Sequence, residues 1–236
     1  MSEGRIDYGS FDVVTFDCYG TLIDWEAGLT AALREALPSL AGVDAAALLE
    51  EYAVHEARAE GEPYQSYREV LAAGLGGVAA AFGLEVGEDA AAAFGESVRV
   101  WPAFPDSAEA LDRLHARYRL GVITNCDEDL FAASQERLGI RFDSVVTAEQ
   151  ARAYKPSRRP FELAFAEIGV PRERILHAAQ SLFHDHVPAK ELGLKTVWID
   201  RRHGRAGSGA TPPASALPDA TFPSLAAFAD AALARA

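Results

Sequence analysis

The sequence predicts an α/β fold: a parallel sheet with helices on both faces, interrupted early by a block of helices. Three observations lead there. Six short apolar, β-rich runs stop at polar residues: FDVVTFD (11–17), RLGVITN (119–125), DSVVTA (143–148), ILHAAQS (175–181), KTVWIDR (195–201) and ATF (220–222). Such runs read as buried strands of a parallel sheet. From residue 106 onward they alternate with helical patterns, the signature of strand–helix–strand units. Between the first and second runs, residues 26–100 carry helical spacing and no strand pattern.

The elements follow in order. After FDVVTFD, Gly20 marks a turn. In GLTAALREALPSL the apolar residues Leu29, Ala32, Leu33, Ala36, Leu37 and Leu40 recur at helical spacing. Asp44 is placed to cap a second helix through Leu48, Leu49 and Tyr52. Ser66 and Glu69 form a capping-box pattern ahead of a third, although glycines at 74, 76, 77 and 83 weaken its helical propensity. A fourth runs from about Glu88 to Val100. WPAFPD (101–106) ends the block, and Asp106 with Glu109 is expected to start the next helix. Helices are also expected over Asp129–Leu138, Pro160–Ile168, Ala189–Leu192 and the C-terminal SLAAFADAALARA. The chain therefore divides into a discontinuous core, residues 1–23 plus 101–236, carrying a helical cap over 24–100.

Composition narrows the partners. The 236 residues carry a formal charge of −13, and hydrophobic residues make up 49%. This composition is that of a globular chain. The charge disfavours nucleic acid and anionic lipid as partners, and no apolar stretch approaches the length of a membrane span. The N-terminal MSEGRIDYGSFD lacks the charged-then-apolar pattern of a signal peptide, so a cytoplasmic protein is expected. Cys18 and Cys126 are the only cysteines. Two cysteines make neither a disulfide framework nor a four-ligand zinc site, and these two are read as buried fillers.

In open α/β sheets, ligands bind beyond the carboxyl ends of the strands. Asp17, the pair Thr124–Asn125, Lys155 and the segment Ser181–Asp185 all fall there. The runs FDCYGTLID, ITN, AYKPSRRPFELA and SLFHDHVPAKELG resemble the four ordered motifs of the haloacid dehalogenase (HAD) superfamily. The resemblance implies a Rossmann-like catalytic core with an inserted cap. It also implies Asp17 as nucleophile, Thr124 as the hydroxyl that orients the bound group, Lys155 as the cation paired with Asp17, and Asp185 as the last acidic residue. A homodimer is suggested by resemblance alone.

Departures from the motifs point to a branch. Phosphatases of this superfamily place a second Asp two residues after the nucleophile, where this chain has Tyr19. They place a magnesium-holding acid four residues before the final Asp, where this chain has Ser181. A phosphate ester expels an alkoxide that needs a proton, and its dianion favours Mg²⁺. Halide needs no proton, and a protonated ring amine already carries one. The pattern is similar to that of the L-2-haloacid dehalogenase branch. FDCYGTLIDWE, WPAFPD, SLxHDHxPA and RRHG…GSGAT resemble still more the L-azetidine-2-carboxylate hydrolase branch, which opens a strained ring. Haloacid dehalogenases commonly carry Ser and Asn in the last motif and a Tyr six residues after the lysine, where this chain has Gln180, Leu182 and Phe161.

The expected reaction is attack of Asp17 on Cα of a small anionic 2-substituted carboxylate, then hydrolysis of the aspartyl ester to a 2-hydroxy acid. Thr124, Asn125 and the N–H groups of the Tyr19–Thr21 turn are expected to bind the substrate carboxylate, with Asp185 as base. Tyr19 and Trp25 are placed in the pocket lining where core meets cap. His184 and His186 flank Asp185; a base or leaving-group contact is weighed for one of them against simple packing. Arg34 and Arg58 are weighed as halide contacts against a solvated face. No metal site and no cofactor are expected. Under the alternative of a Mg²⁺-dependent phosphatase, Asp17, Asp185 and a backbone carbonyl would hold the ion weakly.

Overall fold

In the computed structural model, residues 6–61, 63–203, 211 and 213–234 are described. Most of the glycine-rich stretch RRHG…GSGAT, and residues 1–5 of the N-terminus, lie outside the described residues.

Six strands form one parallel sheet: β1 (Val13–Phe16), β2 (Arg119–Thr124), β3 (Ser144–Thr147), β4 (Ile175–Ala179), β5 (Lys195–Ile199) and β6 (Ala220–Phe222). Their order is β3-β2-β1-β4-β5-β6. Val13 of β1 pairs with Arg119 on one side and Ile175 on the other, so β1 is central and the chain switches direction beside it. A crevice at the carboxyl ends of the strands is expected at that point. Side chains of β1 alternate between two apolar clusters. Val14 and Phe16 join a large core that extends into Leu48, Leu71 and Leu75 of the insertion, while Val13 packs on the opposite face with Ile123, Phe161 and Ile175.

The insertion between β1 and β2 holds α1 (Trp25–Ala36), α2 (Ala45–Ala59), α3 (Tyr67–Ala81) and α4 (Glu88–Glu96). The capping expectations hold: the Asp44 carboxylate accepts from the N–H groups of Ala46 and Ala47, and Ser66 with Glu69 completes a capping box. The glycines expected to weaken α3 have a packing reason. A Cβ at Gly74 would lie 2.4 Å from the Tyr52 ring, and one at Gly77 2.2 Å from the His55 ring. Their absence lets α2 and α3 approach closely, which outweighs the propensity cost. The two connections to the sheet are stitched together. Asp24 N–H donates to Pro102 O at 2.7 Å, and Phe104 N–H to Leu22 O at 3.0 Å.

The helices after the insertion are α5 (Ser107–His115), α6 (Glu128–Leu138), α7 (Ala148–Ala151), α8 (Arg159–Ile168), α9 (Val187–Glu191) and α10 (Leu225–Leu233). Asp106 does not cap α5 as expected: its side chain makes no capping bond there. One carboxylate oxygen instead accepts from Arg201 Nη1 at 2.8 Å and the other from the Ala226 N–H at 3.0 Å. Arg201 also donates to the Thr21 carbonyl from Nε and Nη2, at 3.0 and 2.9 Å. A long-range charged partner has displaced the local cap, and it anchors the loop that follows β1.

The close approach of α2 and α3 is open to a direct test. Gly74→Ala is expected to destabilise the protein by about 1–3 kcal/mol through overpacking against Tyr52. This is the opposite sign to the roughly 1 kcal/mol that alanine gains over glycine in an open helix. The midpoint of urea denaturation, at unchanged slope, measures it.

Candidate active site

Asp17 follows β1 directly and is 6% exposed. Lys155, in the loop after α7, is 1% exposed, and its ammonium makes three hydrogen bonds: to Asp17 Oδ1 at 2.9 Å, Asp185 Oδ1 at 2.7 Å and Ile123 O at 2.8 Å. All three of its donors are thus used. Thr21 Oγ1 donates to the other oxygen of Asp17 at 2.7 Å and accepts from the Gln180 N–H at 2.9 Å. Asp17 is therefore fixed from both sides. Burial alone would discharge Lys155, but the two aspartates outweigh it and raise its pKa. Burial pushes Asp17 above its ordinary value, with Lys155 and Thr21 opposing and Asp185 adding to the rise. Burial would also raise Asp185, yet Lys155 and His177 reverse it and hold that carboxyl well below the usual carboxylate range.

Asp185 sits in a single π-turn, Leu182–His186, opened by Ser181, whose Oγ accepts from the His184 N–H at 2.9 Å. The serine that stands where phosphatases carry an acid is thus a local cap. Behind Asp185, His177 on β4 donates from Nε2 to Asp185 Oδ1 at 3.1 Å, and its Nδ1 lies 2.9 Å from Thr15 Oγ1. With the proton on Nε2, Nδ1 accepts from Thr15, and both ring nitrogens are satisfied. Sequence reading missed His177 because it lies inside an apolar strand. Asp185 Oδ2 has no hydrogen-bond partner among the described residues.

The structure sorts the other expected site residues. Asp17, Tyr19, Trp25, Asn125, Lys155, His184 and Asp185 line one cavity. Thr21 and Thr124 are buried and do not line it; Thr124 Oγ1 has no hydrogen-bond partner among the described residues. Asn125 works as a clamp. Its amide donates to Lys155 O at 3.1 Å and Glu60 Oε1 at 3.2 Å, and its oxygen accepts from the Lys155 N–H at 2.7 Å. The Gly20 and Thr21 N–H groups, expected to meet a substrate carboxylate, are bonded internally to Ile23 O and Cys18 O. The tight turn itself uses those donors. The Tyr19 hydroxyl lies 2.9 Å from Ser134 Oγ and accepts from the Cys126 thiol at 3.3 Å. Cys18 and Cys126 are fully buried, and burial raises both thiols. His186 is buried and donates from Nε2 to Ala179 O at 3.0 Å, a packing role. His184 faces the cavity, and burial lowers it to about 4, so its imidazole is neutral at pH 7.

The insertion contributes residues not foreseen. Glu56, Glu60 and Tyr67 line the same cavity. Glu56 Oε1 accepts from the hydroxyls of Tyr67 at 3.1 Å and Tyr52 at 3.3 Å. Glu60 Oε2 lies 3.7 Å from His184 Nε2. Burial raises Glu56 to about 7. Burial first, and then the charge of Glu56, drive Glu60 well above its ordinary value. A signal existed: Glu56 continues the buried stripe of Leu48, Leu49 and Tyr52 along α2. Arg34 and Arg58 do not line this cavity; Arg34 donates to Val43 O, and Arg58 is exposed. Across the hinge, Asp127 accepts from the N–H groups of Tyr67 at 2.8 Å and Arg68 at 3.2 Å, so a core residue caps a helix of the insertion.

A carboxyl whose pKa is raised on folding stabilises fully below its unfolded value, and that contribution is lost as pH rises through the folded value. For Glu56 the window runs from about pH 4.5 to about 7. Glu56→Gln removes the titration. The melting temperature of the variant relative to the parent is therefore expected to climb between pH 5 and pH 8, by the equivalent of on the order of 3 kcal/mol.

Comparison with known proteins fits this geometry. Residues 11–178 match the haloacid dehalogenase-like hydrolase family. The chain is 29% identical to pyrimidine 5'-nucleotidase YjjG of Escherichia coli over 111 residues, 46% of this chain and 49% of that protein. It is 30% identical to (S)-2-haloacid dehalogenase of Pseudomonas putida over 105 residues, 43% of this chain and 45% of that protein. These matches span about half the length of each relative. The structure of L-2-haloacid dehalogenase from Xanthobacter autotrophicus superposes with a TM-score of 0.78 at 21% identity, covering 93% of this chain and 97% of that one. With the family's sequence pattern running through β1, the insertion and β4, this chain belongs to the haloacid dehalogenase-like hydrolases.

Proposed function

We propose that the protein displaces a leaving group from Cα of a small 2-substituted carboxylic acid, through an ester on Asp17, and releases a 2-hydroxy acid. One observation carries this reading. The nucleophile is held by Lys155 and Thr21, while the position two residues on is a tyrosine whose hydroxyl is engaged with Ser134 and Cys126. No acid stands there to protonate an alkoxide, so chemistry at carbon, where the leaving group needs no such proton, suits the site better than phosphate-ester cleavage. The similarity to proteins named haloacid dehalogenases supports the same reading.

In the first step an Asp17 oxygen attacks Cα from the side opposite the leaving group. Lys155 keeps Asp17 oriented and screens it from Asp185. In the second step water adds to the Asp17 carbonyl carbon. The strongly held charge of Asp185 makes it a weak base, and its free Oδ2 orients the water. The neutral imidazole of His184 takes the proton. The chemistry proceeds without a metal, because Tyr19 and Ser181 replace the acids that a phosphatase would use. Residues 24–100 act as the cap over a core of 1–23 and 101–236. No helix among the described residues is long and apolar enough to cross a membrane. The two free, buried cysteines suit a reducing, cytoplasmic setting. The homodimer implied by resemblance is testable by light scattering.

The test is an assay on L-2-chloropropionate, L-azetidine-2-carboxylate and p-nitrophenyl phosphate, in EDTA and in Mg²⁺. Cleavage at carbon is expected to persist in EDTA and to fall by on the order of 10³-fold or more in Asp17→Asn. Single turnover in ¹⁸O-water is expected to label Asp17 first. His184→Gln is expected to slow ester hydrolysis roughly 100-fold, so that the Asp17 adduct accumulates and is seen by mass spectrometry. Mg²⁺-dependent phosphatase turnover with no cleavage at carbon overturns the reading.

A further inference from the structure

From the two cavities that meet at Trp25, we infer that its indole ring is the specificity-determining partition of this site, closing the space around Asp17 to all but short-chain acids. This rests on the displacement reaction proposed above and narrows its substrate class to short-chain 2-substituted carboxylic acids.

A mismatch of sizes leads there. The cavity that holds Asp17, Lys155 and Asp185 has a volume of about 40 Å³, room for a few water molecules. Beside it lies a second cavity of about 650 Å³, within the roughly 300–1,000 Å³ range of small-molecule sites, and none of those three residues lines it. The two stand back to back. Tyr19 and Ser181 line the small one, while their chain neighbours Gly20 and Gln180 line the large one. Among the described residues, Trp25 and Thr211 alone line both, and of these two side chains the indole is by far the larger.

The ring is placed as a wall. Trp25 is 7% exposed and opens α1 at the junction of core and cap. A Cβ at Gly20 would lie 3.8 Å from the ring, so the indole packs over the turn that follows the nucleophile. The backbone beside it is fixed: Asp24 N–H donates to Pro102 O, and Asp24 Oδ1 accepts from the Ala27 N–H at 3.1 Å. The indole Nε1 is buried and has no hydrogen-bond partner among the described residues. Packing alone therefore holds the ring, and a smaller side chain there breaks no hydrogen bond. Beyond the ring, Ala27, Ala31, Leu49 and Phe104 line the large cavity with apolar surface. Of the charged groups on that side, Arg202 pairs with Glu26, and Arg34 donates to Val43 O. Attack on Cα holds the carboxylate end of a substrate beside Asp17, so a longer hydrocarbon chain needs room farther off. That room exists behind Trp25, and the indole stands in the way.

Binding and turnover test this separately. Propionate and hexanoate are unreactive probes that differ by three methylenes, and each buried methylene is worth about fourfold in affinity. In calorimetry, the wild-type protein is expected to bind hexanoate no more tightly than propionate. Trp25→Ala joins the two cavities, and hexanoate is expected to gain roughly 10- to 100-fold over propionate. Trp25→Phe, with its smaller ring, is expected to move the ratio the same way by less. In kinetics, kcat/KM for L-2-chlorohexanoate relative to L-2-chloropropionate is expected to rise in the same variants by similar factors. A merely structural role for Trp25 would lower both substrates alike and leave the ratio unmoved. Wild-type protein that already favours hexanoate by roughly 10-fold or more, or a ratio unchanged in both variants, overturns the inference. If Trp25→Ala fails to fold, Trp25→Phe and the wild type decide. Turnover that survives Asp17→Asn, or ¹⁸O label that bypasses Asp17, defeats the displacement reading instead, and the carboxylate binding ratios do not depend on turnover.

Discussion

The ammonium of Lys155 is the interaction on which the rest of the site depends. It is buried between two aspartates and a backbone carbonyl, and no donor is left over. Removing one partner of a buried ion pair typically costs about 3–5 kcal/mol, because an uncompensated charge stays behind. Here the loss would leave Asp17 and Asp185 facing each other with no cation between them. The surrounding architecture serves this triad. The switch in strand order beside β1 opens the crevice, the π-turn after β4 delivers Asp185, and His177 with Thr15 braces Asp185 from inside the sheet.

The acidity of the whole chain and the acidity of the site are separate matters. Most of the groups behind the formal charge of −13 lie on the surface, where solvent and salt screen them. The carboxyl groups of the cavity are not screened in that way, and each of them needs a specific answer. Asp17 and Asp185 receive one from Lys155. Glu56 receives two tyrosine hydroxyls, and Glu60 an asparagine amide. Burial raises both carboxyls above the usual carboxylate range, and these neutral donors offset it only in part.

Core and insertion also depend on each other. Asp127 caps α3 from the loop after β2, and the Tyr154 hydroxyl donates to Gln65 O at 2.9 Å. Asn125 joins the Lys155 backbone to Glu60. The position of Glu60 over the nucleophile is thus set by core residues as much as by its own helix. Arg201 and Asp106 perform the same service on the other side, holding the Thr21 carbonyl from β5 and the start of α5.

By itself, the sequence determined what depends on local pattern and on residue type. Apolar runs marked all six strands to within a few residues; β1 to β5 are largely buried and so have little polar face to blur them, while β6 is a short, partly exposed edge strand. Ser66–Glu69 and Asp44 marked helix starts, because capping is a contact over three residues. Asp17, Lys155 and Asp185 were legible because each stands in a motif that resembles the family's, in the segments that follow β1, α7 and β4. Tertiary structure decided whatever needs partners far away in the chain. Asp106 left its helix for Arg201, 95 residues on. Gly74 and Gly77 tolerate a helix because rings from α2 need their space. His177 was hidden in an apolar strand until Asp185 lay beside it. Glu56 and Glu60 drew no functional reading from the sequence; the fold places both in the cavity lining with Asp17. Charge on a helix is cheap in water and costly in a cavity, and only packing decides which of the two a given glutamate meets.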